Sequence, residues 1–555
     1  MSEKTVTIKC LNNGETKRFP ISSTLTEIYN GFRPRGLGQV TNARVNNVVR
    51  DMQYRIFHNK SIEFQDITSE SGMRTYTRSL FFVLNKAVKD LYKGGSISVD
   101  SPVSNGYYCR LFIGHPVEEE DVEALTKEMK RLIDADLPFV PHEAPTEDAI
   151  RLFTKKKMMS KVSLLKSCGT LYSKYYTLDG EPDFYYGSLL PSTGQLYLFG
   201  LMRYNNGLLL RVPDPTKEGE LRPLVKQEKM LDIIQEHQRW QDIIGLDTIG
   251  ELNEMSQDKS TASVLINVSE ALQEKKISQI AEEIKGHPEV RLVLVAGPSS
   301  SGKTTFSKRL SVQLMACGIR PYAISMDDYF VDRDRTPRDE NGDYDYESIH
   351  ALNIDRLEQD LQTLFEGGEI ELPKYDFASG RSVPSGNRMK IDRRNVVVME
   401  GIHGLNPQLT KDIPDLLKYK IYVSALTTIR LDLHNYIPTT DNRLLRRIVR
   451  DYKYRKYSAQ DTISRWPKVV AGEKKWIYPY QEEADVMFNS ALLFELAGIR
   501  NQALPLLEMV PENVPEYAEA YRLRKFLKYI LPIKTDGLPP TSLLREFLGG
   551  STFHY

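Results

Sequence analysis

The sequence predicts an α/β protein in which a domain with a parallel sheet, built around a phosphate-binding loop, follows two smaller N-terminal domains. Two observations support the sheet. Near-continuous apolar runs ("RLVLVAG", "PYAISM", "NVVVMEG" and "KYKIYVSA") alternate with helical patterns after Arg291, as expected for parallel strands covered on both faces. One of these runs leads into Gly297-x4-Gly302-Lys303-Thr304, a pattern typical of loops that bind phosphates. A third observation concerns the N-terminus, where "TVTIKC" alternates like a half-buried strand.

Length and composition limit the function classes. A chain of 555 residues is too long for one hydrophobic core, so several domains are expected. The 74 basic residues balance the 74 acidic ones, which excludes a bulk charge that would draw the whole chain to nucleic acid or an anionic membrane. The four cysteines lack CxxC spacing and are most simply reduced thiols. With no apolar signal core and no long apolar stretch, a cytoplasmic protein without membrane contact is expected.

Changes of pattern divide the chain into five segments. Residues 1–66 predict a small β-rich module, because the turn signal "NNG" separates "TVTIKC" from a returning strand, "KRFPI". Residues 67–225 predict a mixed α+β domain that contains the helix "TRSLFFVLNKAVKDLY". Residues 226–285 are polar and predict a helical connector. Residues 286–500 hold the parallel sheet, and residues 501–555 predict a helical C-terminal extension.

The glycine-rich loop predicts nucleotide binding. Its glycines let backbone N–H groups face phosphate oxygens, and the N-terminus of the following helix adds partial positive charge. Lys303 is expected to reach the outer phosphates and to act in catalysis, and the Thr304 hydroxyl is expected to ligate Mg²⁺. The predicted nucleotide-binding residues are Gly297, Ser299, Ser300, Ser301, Gly302, Lys303, Thr304 and Thr305. ATPases, GTPases and kinases share this loop, so it does not define the reaction.

Two carboxylates follow apolar strands, at the strand ends where ligands lie in open α/β sheets. In "ISMDDYF", Asp327 could accept a proton from an attacking hydroxyl beside the phosphates, although Asp327 and Asp328 could equally form a turn or an N-cap. In "NVVVMEGIHGL", Glu400 could bind Mg²⁺ directly or through water, and the alternative is a structural salt bridge.

A basic stretch, "DNRLLRRIVRDYKYRKY", sets seven cationic side chains against Asp451 between residues 443 and 457. A run of charge is usually a solvated helix face. Here the density of arginine instead favours a lid over phosphate, because a planar guanidinium suits a transferring phosphoryl group.

In their order along the chain, these motifs resemble the uridine kinase and phosphoribulokinase group of P-loop kinases. The resemblance covers residues 291 to about 490 and rests on GPSSSGKTT, SMDDYF, YDYESIHALNIDRLEQDL, PKYDFASGRS, VVVMEGIHGL, DNRLLRRIVRD and ADVMFNSAL. It implies ATP as the phosphate donor and Mg²⁺ as the cofactor, with Asp327 as the base for a sugar 5′-hydroxyl and Glu400 at the metal. It further implies contacts of Asp345 with the ribose, of Tyr375 with the base and of Arg443 with substrate, and a lid that contains Arg447, Arg450 and Arg455.

The departures from that family concern the acceptor. Uridine kinases have a histidine that contacts the pyrimidine after the YDF-x-S stretch, and this chain has Gly380 there. A glutamine that also contacts the base corresponds to Asp461, and the RGR of the lid becomes Arg455-Lys456-Tyr457. The phosphate-transfer residues are therefore kept, whereas those that recognise the base are not.

The N-terminal half resembles part of the threonyl-tRNA synthetases. Residues 5–65 resemble a TGS domain of the β-grasp type, and residues 70 to about 220 resemble the second N-terminal domain of those synthetases, through "YTRSLFFVLNKAVKDLY" and "PVSNGYYCRL". That domain hydrolyses mischarged tRNA with two histidines at i and i+4 and a later cysteine and histidine. Here the corresponding residues are Arg78, Phe82, Cys168 and Tyr172. The hydrolytic site is therefore expected to be lost and no zinc is expected, which leaves a binding or regulatory role or a purely structural one.

The function that follows is an ATP- and Mg²⁺-dependent kinase, foremost a nucleoside kinase acting on a ribose 5′-hydroxyl. A kinase of a non-nucleoside sugar stays open, as does a nucleotide-gated RNA-binding or translation-linked regulator, which would need no base at Asp327. An aminoacyl-tRNA hydrolase is disfavoured by the missing ligands. An RNA or small-molecule effector at the N-terminal domains and a homo-oligomeric state are both left open.

Overall fold

The computed structural model describes residues 4–392 and 395–554. Its N-terminal module is a five-stranded sheet with strand order β2-β1-β5-β3-β4, in which the central pair β1 and β5 is parallel. Alternate residues of β1 (Val6, Ile8 and Cys10) point into a separate small core against α1. The elements are β1 (Thr5–Cys10), β2 (Thr16–Pro20), α1 (Leu25–Phe32), β3 (Asn42–Val45), β4 (Val48–Arg50) and β5 (Lys60–Gln65).

The second region is an α+β arrangement around one long buried helix, α2. Two antiparallel sheets belong to it, with strand orders β11-β12-β7-β6 and β10-β9-β8. The elements are α2 (Glu70–Leu91), β6 (Ser96–Val103), β7 (Gly106–Phe112), α3 (Glu119–Asp134), β8 (Val140–Pro145), α4 (Thr146–Lys155), α5 (Met159–Cys168), β9 (Tyr172–Leu178), β10 (Glu181–Asp183), β11 (Gly200–Tyr204) and β12 (Gly207–Arg211).

Three helices connect this region to the parallel sheet: α6 (Glu228–Ile244), α7 (Ile249–Gln257) and α8 (Lys259–Lys285). Although their composition is polar, α7 and α8 carry apolar faces that pack on α5 and on the first helix after the P-loop.

The C-terminal region contains a five-stranded parallel sheet with the order β14-β17-β13-β18-β19. Its elements are β13 (Leu292–Ala296), α9 (Lys303–Ala316), β14 (Arg320–Ser325), α10 (Ile354–Phe365), β15 (Glu369–Asp376), β16 (Arg381–Lys390), β17 (Asn395–Glu400), β18 (Lys418–Ser424), α11 (Thr439–Arg455), α12 (Ala459–Trp476), β19 (Val486–Asn489), α13 (Glu495–Glu508), α14 (Tyr517–Leu527) and α15 (Arg545–Leu548). Every residue of the central strand β13 is buried, as its apolar sequence predicts.

One large apolar core joins segments that the sequence patterns divided. Phe153 of α4, Ile249 of α7 and Ile277 of α8 belong to it, together with Leu310 of α9 and Leu507 of α13. The predicted limits at residues 285 and 500 therefore separate segments whose apolar faces pack together. Among the described residues, no helix is long and apolar enough to cross a bilayer.

Candidate active site

The P-loop connects β13 to α9 and needs glycine for a steric reason. Gly297 has φ 154°, and a Cβ atom there would lie 2.0 Å from the carbonyl oxygen of Val423 on β18. Ser300 and Gly302 also have positive φ, at 59° and 84°. The turn delivers Lys303 to the N-terminus of α9, where backbone N–H groups lack helical partners and attract anions.

The sheet order brings three of the segments singled out from the sequence side by side. Because β14, β17 and β13 are neighbours and parallel, Asp327, Glu400 and the P-loop all follow the carboxyl ends of adjacent strands. The Thr304 hydroxyl donates to Glu400 Oε1 over 3.1 Å. Lys303 is 9% exposed, and its ammonium group donates to the carbonyl oxygen of Pro298 over 3.2 Å.

Burial perturbs the charges in this group. It raises the pKa of Glu400 to about 7, against the opposing effect of the Lys303 charge, and it lowers the pKa of Lys303, against the effects of Glu400 and Asp327. The pKa of Asp327 is also raised by desolvation, which outweighs the charges of Lys303, Arg455 and Arg450. The Asp327 residue is nevertheless exposed to solvent.

The oxygen atoms at the P-loop fit a magnesium ion. Within the described part of the chain, no group of three or more His, Cys, Asp and Glu side chains could hold a metal by itself. Mg²⁺ does not need one, because it keeps several waters and takes one or two protein ligands together with substrate phosphates. The Glu400 carboxylate beside the Thr304 hydroxyl is such a set, and its raised pKa shows that the charged form lacks sufficient compensation.

Asp327 and Asp328 face different partners because they lie in a turn. The strand β14 stops at Ser325, and residues 326–329 form one turn of 3₁₀ helix in which the Ser325 hydroxyl accepts from the Asp327 N–H. Asp328 turns to the neighbouring hairpin, where its Oδ1 accepts the Tyr375 N–H over 3.4 Å. The turn alternative from the sequence is thus correct for the backbone, and it leaves Asp327 near the charges of Lys303 and Arg455.

An aromatic cluster lies next to this turn, on the hairpin formed by β15 and β16. The Tyr375 ring is buried and lies 5.5 Å from Phe330 and 5.0 Å from Phe377. Phe377 is 60% exposed, so part of this aromatic cluster is open to solvent. Asp345 is half-buried, and its Oδ1 accepts the N–H of Glu347 over 3.2 Å.

Two positions that depart from uridine kinases have new local partners. Gly380 has φ 71°, and a Cβ there would lie within 2.6 Å of the guanidinium of Arg333, which donates to the carbonyl oxygen of Phe377 over 2.7 Å. Asp461 caps α12, because its carboxylate accepts from the backbone and the hydroxyl of Ser458. At position 380 the lack of a side chain leaves room for Arg333. At position 461 the carboxylate stabilises the N-terminal end of α12.

The arginines of α11 divide between two faces. Arg447, Arg450 and Arg455 surround the buried carboxylate of Asp451, at 3.3, 3.0 and 3.6 Å. Arg447 also donates to the Ser299 hydroxyl of the P-loop over 2.8 Å. Three guanidinium groups on one carboxylate leave an excess of positive charge beside the loop.

Arg443 lies beneath the loop, where it does not face the open cleft. It is 1% exposed, pairs with Glu473 over 2.5 and 2.8 Å, and donates to the carbonyl oxygen of Ser299 over 3.1 Å. Glu473 in turn accepts the Ser299 N–H over 3.1 Å. Arg443 and Glu473 therefore hold Ser299 from both sides, and the sequence alone gave no sign of this pair.

Sequence reasoning also missed two carboxylates near the loop. Glu546 of α15 accepts the Thr305 hydroxyl over 2.6 Å across 241 residues, and Leu543 packs against Gly302. Glu347 has its pKa raised to about 7, chiefly by burial. Glu347 lies within the YDYESIHALNIDRLEQDL motif and Glu546 lies in no quoted motif, but neither position reveals proximity to the loop, because that proximity depends on how distant segments pack.

The four positions that correspond to the hydrolytic residues of the synthetases do not form a metal site. Arg78 lies on α2 and donates to the carbonyl oxygen of Ser188 over 2.7 Å, and Phe82 is fully buried in the core of the second region. Cys168 is half-buried, and Tyr172 is 64% exposed. These side chains offer neither a histidine pair nor another metal-binding set.

Comparisons with known proteins bear on both halves of the chain. Residues 292–493 match the model of the Phosphoribulokinase / Uridine kinase family, so the C-terminal region contains a domain of that family. Uridine kinase from Brevibacillus brevis is 29% identical over 224 residues, which are 40% of this chain and 92% of that protein. The structure of a possible uridine kinase from Bacillus stearothermophilus aligns at 18% identity with a TM-score of 0.27, covering 39% of this chain and 98% of that one.

The N-terminal region has homologues among the threonine–tRNA ligases. The ligase from Syntrophomonas wolfei is 27% identical over 195 residues, which are 35% of this chain. This chain spans 30% of the length of that ligase. Both family resemblances predicted from sequence motifs are thereby confirmed.

Proposed function

We propose that this protein is a kinase that transfers the γ-phosphoryl group of ATP to a hydroxyl group of a sugar, foremost the ribose 5′-hydroxyl of a nucleoside. One observation carries the proposal: Asp327, Glu400 and Lys303 follow three adjacent parallel strands and influence one another's charge at the P-loop. A loop that only switched on nucleotide binding would not need a carboxylate at Asp327.

The residues of the candidate site have different roles in the proposed phosphoryl transfer. The P-loop amides and Lys303 bind and orient the phosphates, and the arginines around Asp451 offset charge that spreads over the transferring group. Asp327 takes the proton of the acceptor hydroxyl, for which its raised pKa is suited. Glu400 and Thr304 would hold Mg²⁺, which when bound neutralises phosphate charge.

The acceptor must be recognised by other residues than those of uridine kinases, because Gly380 and Asp461 stand where uridine kinases contact the base. The exposed ring of Phe377 beside Tyr375 favours an acceptor with a flat ring. Arg333 at Gly380 instead favours one with a carbonyl, carboxylate or phosphate. A non-nucleoside sugar with an acidic group is therefore the second candidate.

The experiment is a screen of the full-length protein with Mg²⁺ and ATP against nucleosides, pentoses and sugar acids, followed by ADP release and by mass analysis of the product. Acceptor-dependent ADP release that is lost in a folded Lys303→Ala variant supports the kinase, because Lys303 contacts the phosphates. Release at the wild-type rate in that variant contradicts it. The product mass identifies the acceptor.

For the N-terminal half we propose binding without hydrolysis. The TGS-like module, residues 1–66, and the synthetase-like domain, residues 67–225, would recognise an effector for the kinase, residues 286–500. This proposal is supported by the absence of histidines at Arg78 and Phe82 and by the contacts of α4 and α5 with the shared core.

A further inference from the structure

A cavity of about 450 Å³ lies between the N-terminal regions and the helices α12 and α14. Its walls come from β3 and β4, from α2, from β9 and the segment after β10, and from the two C-terminal helices. Cavities of a few hundred Å³ at domain interfaces are common small-molecule sites. None of the described residues of the P-loop lines it, so it is separate from the candidate active site.

The lining of this inter-domain cavity has an excess of positive charge. Seven arginine and lysine side chains face it, against four aspartate and glutamate side chains. Glu519 pairs with two of the cations, Arg74 and Arg522. Among the described residues, Arg50, Arg78 and Lys525 have no carboxylate at ion-pair distance, although each lines the cavity.

Of the three cations without a carboxylate partner, Arg78 and Arg50 are close enough to affect the charge of Lys525. Burial, together with the charges of Lys174, Arg78 and Arg50, lowers the pKa of Lys525 to about 8. Burial also lowers the pKa of Arg78, and the positive charges of Arg74 and Arg522 add to that effect. An anion placed among them would relieve both the repulsion and the loss of hydration.

Aromatic rings form the rest of the wall. Five tyrosines line the cavity: Tyr54, Tyr176, Tyr185, Tyr186 and Tyr521. The guanidinium of Arg50 lies 4.8 Å from the ring centre of Tyr54, and that of Arg78 lies 5.7 Å from that of Tyr186. Tyrosine faces suit a flat ring, and the planar arginine fork suits phosphate oxygens.

We infer that the inter-domain cavity is a binding site for a small phosphorylated compound with a flat ring, of the nucleotide class. The cations that lack a carboxylate partner select the phosphate, and the tyrosine walls select the ring. The cavity wall near Arg78 of α2 contains arginine and lysine side chains and no histidine among the described residues. Such a wall suits the binding of an anion and offers no metal ligands for hydrolysis.

The test uses AMP, titrated into the full-length Lys303→Ala protein by calorimetry, so that the P-loop contributes little to the signal. AMP is expected to bind, and Lys525→Gln and Arg50→Gln, each added to that background, are expected to weaken it about tenfold or more, since each removes a charge-assisted contact. Lys528→Gln is the matched control, because Lys528 is an exposed lysine at the C-terminal end of α14 and does not line the cavity.

Two further measurements identify the chemical class of the ligand. Inorganic phosphate is expected to bind at least about tenfold more weakly than AMP, because it lacks a ring to stack. AMP is also expected to protect Lys525 from acetylation at about pH 8, read by peptide mass spectrometry against Lys528. This second readout needs no variant and so remains valid if a substitution disturbs folding.

Three results would overturn the inference: no AMP binding to the Lys303→Ala protein, equal affinity in Lys525→Gln, Arg50→Gln and Lys528→Gln, or phosphate binding as tightly as AMP. An RNA oligonucleotide that binds through the same residues while AMP does not would also overturn it, in favour of an RNA terminus. These outcomes are independent of kinase turnover, because no acceptor is present.

Discussion

The Thr304 hydroxyl donates to Glu400 over 3.1 Å, and this contact joins the P-loop helix to the neighbouring strand β17. The hydroxyl is thereby held beside a carboxylate whose pKa is raised to about 7 by burial. An oxygen pair with this geometry and a poorly compensated charge is what the proposed Mg²⁺ site requires. The pH dependence of the protein should reveal it.

We predict that Glu400→Gln changes the pH dependence of thermal stability. The folded-state pKa of Glu400 lies above the ordinary value of 4.5, so its contribution to stability is fully present below about 4.5 and is lost as the pH rises through about 7. Glutamine stays neutral, so the melting temperature of the variant should fall less over that range. Glu347 titrates over the same range, so the measured quantity is the difference between wild type and variant.

The same substitution should weaken the response to Mg²⁺ and ATP. In the wild type, Mg·ATP should raise the melting temperature more at pH 8 than at pH 6, because binding the ion requires the Glu400 carboxylate to be ionised. Identical curves for wild type and Glu400→Gln, with and without the ligands, would show that Glu400 is only a structural group.

We predict that Asp327→Asn slows turnover about 10²- to 10⁴-fold, the usual effect of losing a general base. ATP affinity should change little, because the P-loop and Lys303 provide that binding. Asp328→Asn is the matched control and should be milder, since its carboxylate accepts a backbone N–H that an amide oxygen can also accept. Rates are measured at saturating ATP, and an inactive Asp328→Asn beside a nearly normal Asp327→Asn would reverse the assignment.

We predict that Glu546→Gln tightens ATP binding about fivefold. Its carboxylate accepts from Thr305 and adds to the negative charge near Lys303, so it opposes the arrival of phosphates. Glutamine keeps an acceptor for the hydroxyl and removes the charge. Glu508→Gln, at an exposed position of α13, serves as the control in a direct measurement of ATP affinity. Unchanged or weaker affinity would mean that Glu546 supports the loop.

We predict that Arg443→Met destabilises the protein by about 3–5 kcal/mol, because it leaves Glu473 buried without its partner. The double variant Arg443→Met/Glu473→Met should recover much of that stability. Denaturant unfolding measures both. If Arg443 instead contacts substrate, as its position in the family motif implies, the single variant should raise the KM for the acceptor and leave unfolding unchanged.

We predict that the full-length protein binds no stoichiometric zinc and hydrolyses no mischarged aminoacyl-tRNA. Arg78 and Phe82 occupy the positions where two histidines would be needed, and a cation beside a buried ring cannot ligate a metal. Elemental analysis that finds one zinc per chain would contradict this prediction.

The sequence predicts the part of the site that is encoded locally. The P-loop needs glycines because of contacts within a few residues and one neighbouring strand, so its pattern is visible in the chain. The strand-end rule also predicts that Asp327 follows a strand of the sheet, and Asp327 does lie just after β14, in a 3₁₀ turn, while its role as a base stays a prediction.

The rest of the site depends on long-range packing. Glu473 reaches Ser299 across 174 residues, and Glu546 reaches Thr305 across 241. Neither lies in a distinctive motif, because a single carboxylate on a helix has many uses. The predicted connector is a further case in which the sequence pattern did not reveal long-range packing. Although α8 is polar in composition, its apolar face packs on α9.

The pair between Arg522 and Asp441 has a consequence for communication within the chain. Arg522 lines the inter-domain cavity, and both of its terminal nitrogens donate to Asp441 in the first turn of α11, over 2.6 and 2.7 Å. The same helix carries Arg447 and Arg450 to the P-loop. If a molecule in the cavity stabilises this pair and thereby changes the affinity for ATP, thermodynamic linkage requires that ATP change the affinity for that molecule by the same factor.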